Sequence, residues 1–262
     1  MRQAIATILL TSVAAAITLA LLYALGPDWA SFAPATCLAS HCFCESLNTG
    51  ALILQPANSW SSLGFVLVGF WIMLGARAQR KDTAFRDWPA LWFGLTAVVI
   101  GVGSFLLHAT LTLWGQFYDV LGMYLMSGFV LTYAVQRWRG WSNGTVFTLY
   151  IAVCALLVAW LWATPEARRW LFALVLALAI PLEMILARPR RPKVRAGFFY
   201  AGLIANTAAF AIWSLDNTRT LCAPDSLLQG HAVWHVLGAV AVLLNYSYYR
   251  SECAPPERRG AV

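Results

Sequence analysis

Three histidines, a serine and an aspartate are the residues of this chain best placed to do chemistry. His231 and His235 stand at i and i+4 in Gly-His-Ala-Val-Trp-His (230–235). On a helix they share a face one turn apart, and side chains so placed can bind a single ion, as in zinc helices of the HExxH kind. The residues between them are apolar, so a general base must come from elsewhere, and alone this spacing fits two interface histidines equally well. Ser104 and His108 are also at i and i+4, and Asp119 follows a short turn later. Three imidazoles leave the fourth position of a zinc ion open to water, the pattern of a catalytic site; a structural site would more readily use thiolates.

These residues must be positioned inside a membrane. Of 262 residues, 60% are hydrophobic and only 11% charged, with mean hydropathy +0.67. A soluble domain carries roughly 25% charged residues, so most of this surface must face lipid. Eight apolar segments, near 4–25, 57–76, 89–110, 116–136, 144–163, 169–187, 196–214 and 231–249, are each long enough to cross a bilayer as a helix. The net charge of +7 does not signal nucleic acid, because the basic residues sit in short loops between apolar runs. With the N-terminus inside and the segments alternating, 15 of the 18 Lys and Arg fall on the inner side; Arg168, Arg169 and Arg219 are outside. That topology brings His108, His231, His235, Ser104 and Asp119 to one outer level, where unpaired polar groups would be costly. His41, in an outer loop, is expected to be incidental.

The expected organisation is residues 1–26 as an N-terminal helix or signal anchor, 27–56 as an outer segment, 57–249 as a seven-helix domain and 250–262 as an inner tail. The first apolar run could also be a cleaved signal peptide. Its length of about twenty residues and the lack of a clean small-x-small site before Asp28 favour a retained helix. Cys37, Cys42, Cys44 and Cys222 all fall on the outer side, which suggests disulfides, with Cys44–Cys222 the pairing expected first. The spacing C-x4-C-x-C matches no common zinc pattern.

Gly-Ser-Phe-Leu-Leu-His-Ala-Thr-Leu (103–111), Gln116-Phe117-Tyr118-Asp119 and Gly-His-Ala-Val-Trp-His (230–235) resemble the alkaline ceramidase family. That family lies in a superfamily of seven-helix membrane hydrolases that includes the adiponectin and progestin receptors. The resemblance spans about Cys44 to Tyr249, with Cys44-Glu45 and Asn58-Ser59 similar to the family's outer segment. It implies zinc on His108, His231 and His235, with Ser104 and Asp119 beside the metal. Eukaryotic members carry an acidic calcium site in the outer segment; here Glu45 is the only nearby carboxylate, with Asn48 and Gln55 as neutral ligands of a weak site. Calcium usually takes more than one carboxylate, so calcium is expected less than zinc. The additional first helix departs from the family pattern. Sixteen Arg to two Lys suggest a GC-rich bacterial gene, so the outer side would be periplasm.

The expectation is therefore an all-α membrane bundle that hydrolyses the amide of ceramide-like lipids to a sphingoid base and a fatty acid. Zinc would acidify water at the site, Asp119 would carry the proton to the leaving amine, and Ser104 would donate to the developing oxyanion. The alternative is a zinc-containing lipid-sensing receptor with little hydrolase activity, disfavoured by the lack of a sizeable cytoplasmic domain. A haem carrier is disfavoured because haem takes histidines on opposite faces of its ring. Asn206 is expected to bond between helices, Glu183 to pair with the basic 188–195 loop, and Asp216 with Trp213 to hold the last loop or support a histidine.

Overall fold

The computed structural model describes residues 1–26, 28–38, 42–77, 83–190 and 193–253. His41, Arg80, Lys81, Arg191 and the tail from 254 lie outside them. Every apolar segment read from the sequence is helical, and no strand occurs among the described residues. The elements are α1 (Arg2–Leu25), α2 (Pro56–Ser61), α3 (Leu63–Arg77), α4 (Asp87–Thr110), α5 (Leu113–Arg139), α6 (Asn143–Ala163), α7 (Arg168–Pro181), α8 (Ala196–Asn217) and α9 (Gly230–Arg250). α2 and α3 together form one span, Pro56–Ala76, and α7 belongs to another, Pro165–Arg190. Among the described residues, seven spans are long and apolar enough to cross a membrane. α9 is not among them: its 21 residues reach about 31 Å, but they include two histidines, an asparagine and three tyrosines.

Local chemistry sets the ends of these elements. Thr112 caps α5 by accepting Gly115 N–H at 3.2 Å, and Ser142 caps α6 by accepting Thr145 N–H at 3.2 Å. α5 stops at Gly140, whose φ of 71° lies in the left-handed region. α6 ends at Thr164 because the residue before a proline resists helical geometry. Pro181 closes α7 without a donor N–H, and the chain continues as a π-helical turn over Leu182–Ala187. At the α2–α3 junction Ser59, Ser61 and Ser62 bond back to Gln55, Asn58 and Ser59 carbonyls, a habit that bends helices.

α3, α4 and α5 pack successively, α6 and α7 lie against α5, and α9 lies between α8 and α3. α1 rests on α3 and α4, and Leu22 is buried beside Trp29, Phe105 and Leu106. α7 and α8, consecutive in sequence, have no comparable interface with each other. The far end of the bundle is filled by Phe85, Phe93, Phe129, Tyr133, Tyr246 and Tyr249. There Arg137 pairs with Glu183 and with Glu252 at 2.8 Å. Glu183 thus meets Arg137 and Tyr248 rather than the 188–195 loop, because the π turn directs it inward, where only a cation can offset its burial. Asn206 forms no interhelical hydrogen bond among the described residues. Cys37–Cys42 and Cys44–Cys222 are disulfides at the opposite end, the one holding the histidines.

Candidate metal centre

The centre forms where α4 ends and α5 and α9 begin. α4 and α5 cross closely because residue 103 is glycine: a Cβ there would lie 2.3 Å from Tyr118 O and 2.8 Å from Asp119 N. This approach sets the Asp119 side chain beside the Ser104 hydroxyl. Arg168, at the start of α7, supplies an opposing charge to Asp119. The segment before α2 is stitched along the α4–α5 turn by Leu54 N–H to Ala109 O (3.0 Å), Gln55 N–H to His108 O (3.1 Å) and Ala35 N–H to Leu111 O (2.8 Å). Gln116 accepts from Thr36 N–H at 2.9 Å and joins the same seam.

His108, His231 and His235 are buried, and ligand atoms of all three lie within 4.8 Å of one another. The hydrogen bonds behind the rings fix which nitrogen is free. The Gln55 amide N–H donates to Glu45 O at 3.2 Å, so its oxygen faces His108 Nδ1 at 3.0 Å. His108 must therefore donate from Nδ1 and keep a lone pair on Nε2. Ser61 Oγ donates to Asn58 O at 3.0 Å and so accepts from His235 Nδ1 at 2.9 Å, which frees Nε2 of that ring too. His231 Nε2 is 3.0 Å from His108 Nε2. At a Zn–N distance of about 2.0–2.1 Å, two tetrahedral nitrogens sit roughly 3.3 Å apart, close to this spacing.

The donor set fits a cation. The single proton of Ser104 has two acceptors nearby, hydrogen-bonded His235 Nε2 at 3.1 Å and the neighbouring Asp119 carboxylate. A cation on Nε2 removes one of them. The Asn58 amide is fully buried, with neither atom hydrogen-bonded among the described residues. Asp216 anchors the start of α9 by accepting Cys44 N–H at 3.3 Å and His231 N–H at 3.2 Å. It reaches the histidine's backbone and not its ring, and it fits only because residue 230 is glycine, whose Cβ would lie 2.8 Å from Asp216 Cβ.

A family model described as Ceramidase matches residues 38–254, most of the chain. The chain belongs to the ceramidase family. Membership supports a ceramide-hydrolysing function and implies a hydrolase of sphingolipid metabolism, its apolar helices suit a membrane, and its three histidines could hold a metal ion. No curated protein matches the chain.

The structure brings the histidines, Ser104 and Asp119 together, and it engages Glu45 and Gln55, two of the expected calcium ligands, in hydrogen bonds. Both Glu45 oxygens accept helix N–H groups, from Ala57 at 2.7 Å and Asn58 at 2.9 Å, so this carboxylate caps α2. The Gln55 oxygen serves His108, and Asn48 is exposed. Among the described residues the histidine trio is the one group of three or more His, Cys, Asp or Glu side chains close enough to share a metal ion. Burial pushes the Glu45 carboxyl above its ordinary range, against the pull of the two N–H bonds. Sequence reasoning missed Ser61, whose signal is the polar run Asn58-Ser59-Trp60-Ser61-Ser62 heading an apolar span. It also missed Phe43, which packs on two of the imidazoles.

Proposed function

We propose that this ceramidase is an integral-membrane zinc amidohydrolase that cleaves the linear amide of ceramide-like lipids, giving a sphingoid base and a fatty acid. The observation that carries this reading is the convergence of imidazole lone pairs on a point beside the Ser104–Asp119 pair. His108, His231 and His235 would hold the ion. Zinc supplies Lewis acidity there, polarising an amide carbonyl and making water a stronger acid. Asp119 takes the water proton and returns it to the leaving amine. Ser104, once the His235 lone pair is engaged, turns its proton to the oxygen on which charge develops.

The histidine end faces outward. The lopsided Lys and Arg count supports that orientation, and so do two disulfides at this end, which call for an oxidising compartment such as a periplasm. Purified protein should carry close to one zinc per chain by elemental analysis and release fatty acid from one or more of a panel of ceramides. His108→Ala should lose both metal and activity, since a two-ligand site holds zinc poorly, whereas Asp119→Asn should keep zinc and lose about a hundred- to ten-thousandfold in turnover. Full zinc in His108→Ala would overturn the ligand assignment. No product from any N-acyl lipid would overturn the hydrolase and favour a lipid-sensing role.

A further inference from the structure

His108 is oriented by Gln55 and His235 by Ser61, but His231 Nδ1 is buried without a hydrogen-bond partner among the described residues. Metal-binding imidazoles are normally fixed through their second nitrogen. What meets the His231 ring instead is Phe43, with centroids 4.1 Å apart and planes tilted by 38°. The same phenyl ring lies 4.7 Å from His108.

Phe43 holds an unfavourable backbone to be there. Its φ is 109°, a region that side-chain-bearing residues rarely adopt. Such a conformation persists only where the surroundings over-determine it, and here they do. Cys42 on one side is bonded to Cys37, and Cys44 on the other is bonded to Cys222. Cys44 N–H is held by Asp216, the carboxylate that also holds His231 N–H. Leu107, Leu111 and Leu54 close the sides of the pocket around the ring.

We infer that Phe43 is a positioning residue for the metal centre, clamped by its flanking disulfides so that its ring replaces the hydrogen bond His231 lacks. The inference rests on the zinc reading above. Without the ring, His231 can swing about its side-chain bonds and the trio loses its arrangement.

The test is zinc affinity, measured on metal-free, detergent-solubilised protein by competition with a chromophoric chelator. Thermal unfolding of the metal-free form and the visible spectrum of the cobalt-loaded form are recorded alongside. Phe43→Gly relieves the positive φ, so it should fold at least as readily as Phe43→Ala. Both should bind zinc about 10–100-fold more weakly, the usual scale for losing the support of a metal-binding imidazole, with an altered cobalt spectrum. Phe43→Leu should recover part of the loss. Opening the longer bridge with Cys44→Ser/Cys222→Ser should weaken zinc in the same direction, and this arm decides the matter if no Phe43 variant folds. Wild-type affinity in the folded Phe43→Ala or Phe43→Gly protein overturns the inference while leaving the hydrolase reading intact. A wild-type chain that binds no zinc overturns the metal reading, and this inference with it.

Discussion

Ser104 shows how one hydroxyl can be read in two ways, because serines in membrane helices commonly bond back to a carbonyl of their own helix. Its hydrogen-bond partner here is His235, with Asp119 beside it, both on other helices. Ser104→Ala should therefore keep zinc yet lose about a hundred- to a thousandfold in turnover on ceramide; near-normal turnover would remove it from the mechanism. Glu45 yields a prediction about pH. Its carboxyl is raised above the ordinary value of 4.5 in the folded chain, so folding favours its protonated form. Its contribution to stability is thus fullest below that ordinary value and falls as pH rises through the raised one. Unfolding of wild type and Glu45→Gln, compared across that range, should show the wild-type advantage shrinking as pH rises; an advantage that grows would contradict the assigned environment. The convergence of the three histidines was legible because helical spacing and membrane depth can be counted along a chain. Gln55, Ser61 and Phe43 were not, since their roles depend on contacts with residues 53, 174 and 188 positions away.

At the scale of elements, apolar length announced each long helix, as α6 shows by filling the segment expected near 144–163. Two departures depend on tertiary context. The break at Ser62 between α2 and α3 comes from serine back-bonding, and the π turn after Pro181 places Glu183 on Arg137. α9 is long enough to span but polar toward both ends, and it is tolerated because α3 and α8 cover it. The α4–α5 crossing is the element contact on which the site depends most. Gly103→Ala would put a methyl 2.3 Å from Tyr118 O, and the backbones must part to admit it. Overpacking of this kind costs about 1–3 kcal/mol. The expected outcome is a lower unfolding temperature together with a turnover loss like that of Asp119→Asn, because Asp119 moves off Ser104. Unchanged turnover would mean that the crossing does not set their contact.

For the whole molecule, the proposed orientation is checked by labelling. A cysteine at Leu227, 89% exposed in the loop before α9, should react with an impermeant reagent from the outer side, and one at Asp87 should not. The reverse pattern would put the metal centre on the inner side. The two disulfides also impose an order of events on synthesis. Cys37, Cys42 and Cys44 emerge within eight residues of one another, but the native partner of Cys44 follows 178 residues later. At roughly 5–20 residues per second, Cys44 waits about 9–36 s as a free thiol beside two others, long enough for exchange to matter. Bonding of Cys44 to Cys37 or Cys42 in that interval would leave Cys222 stranded and Phe43 without its clamp. Cells that lack a disulfide isomerase should accumulate such mispaired chains, and their yield of properly bridged protein should rise when translation is made faster.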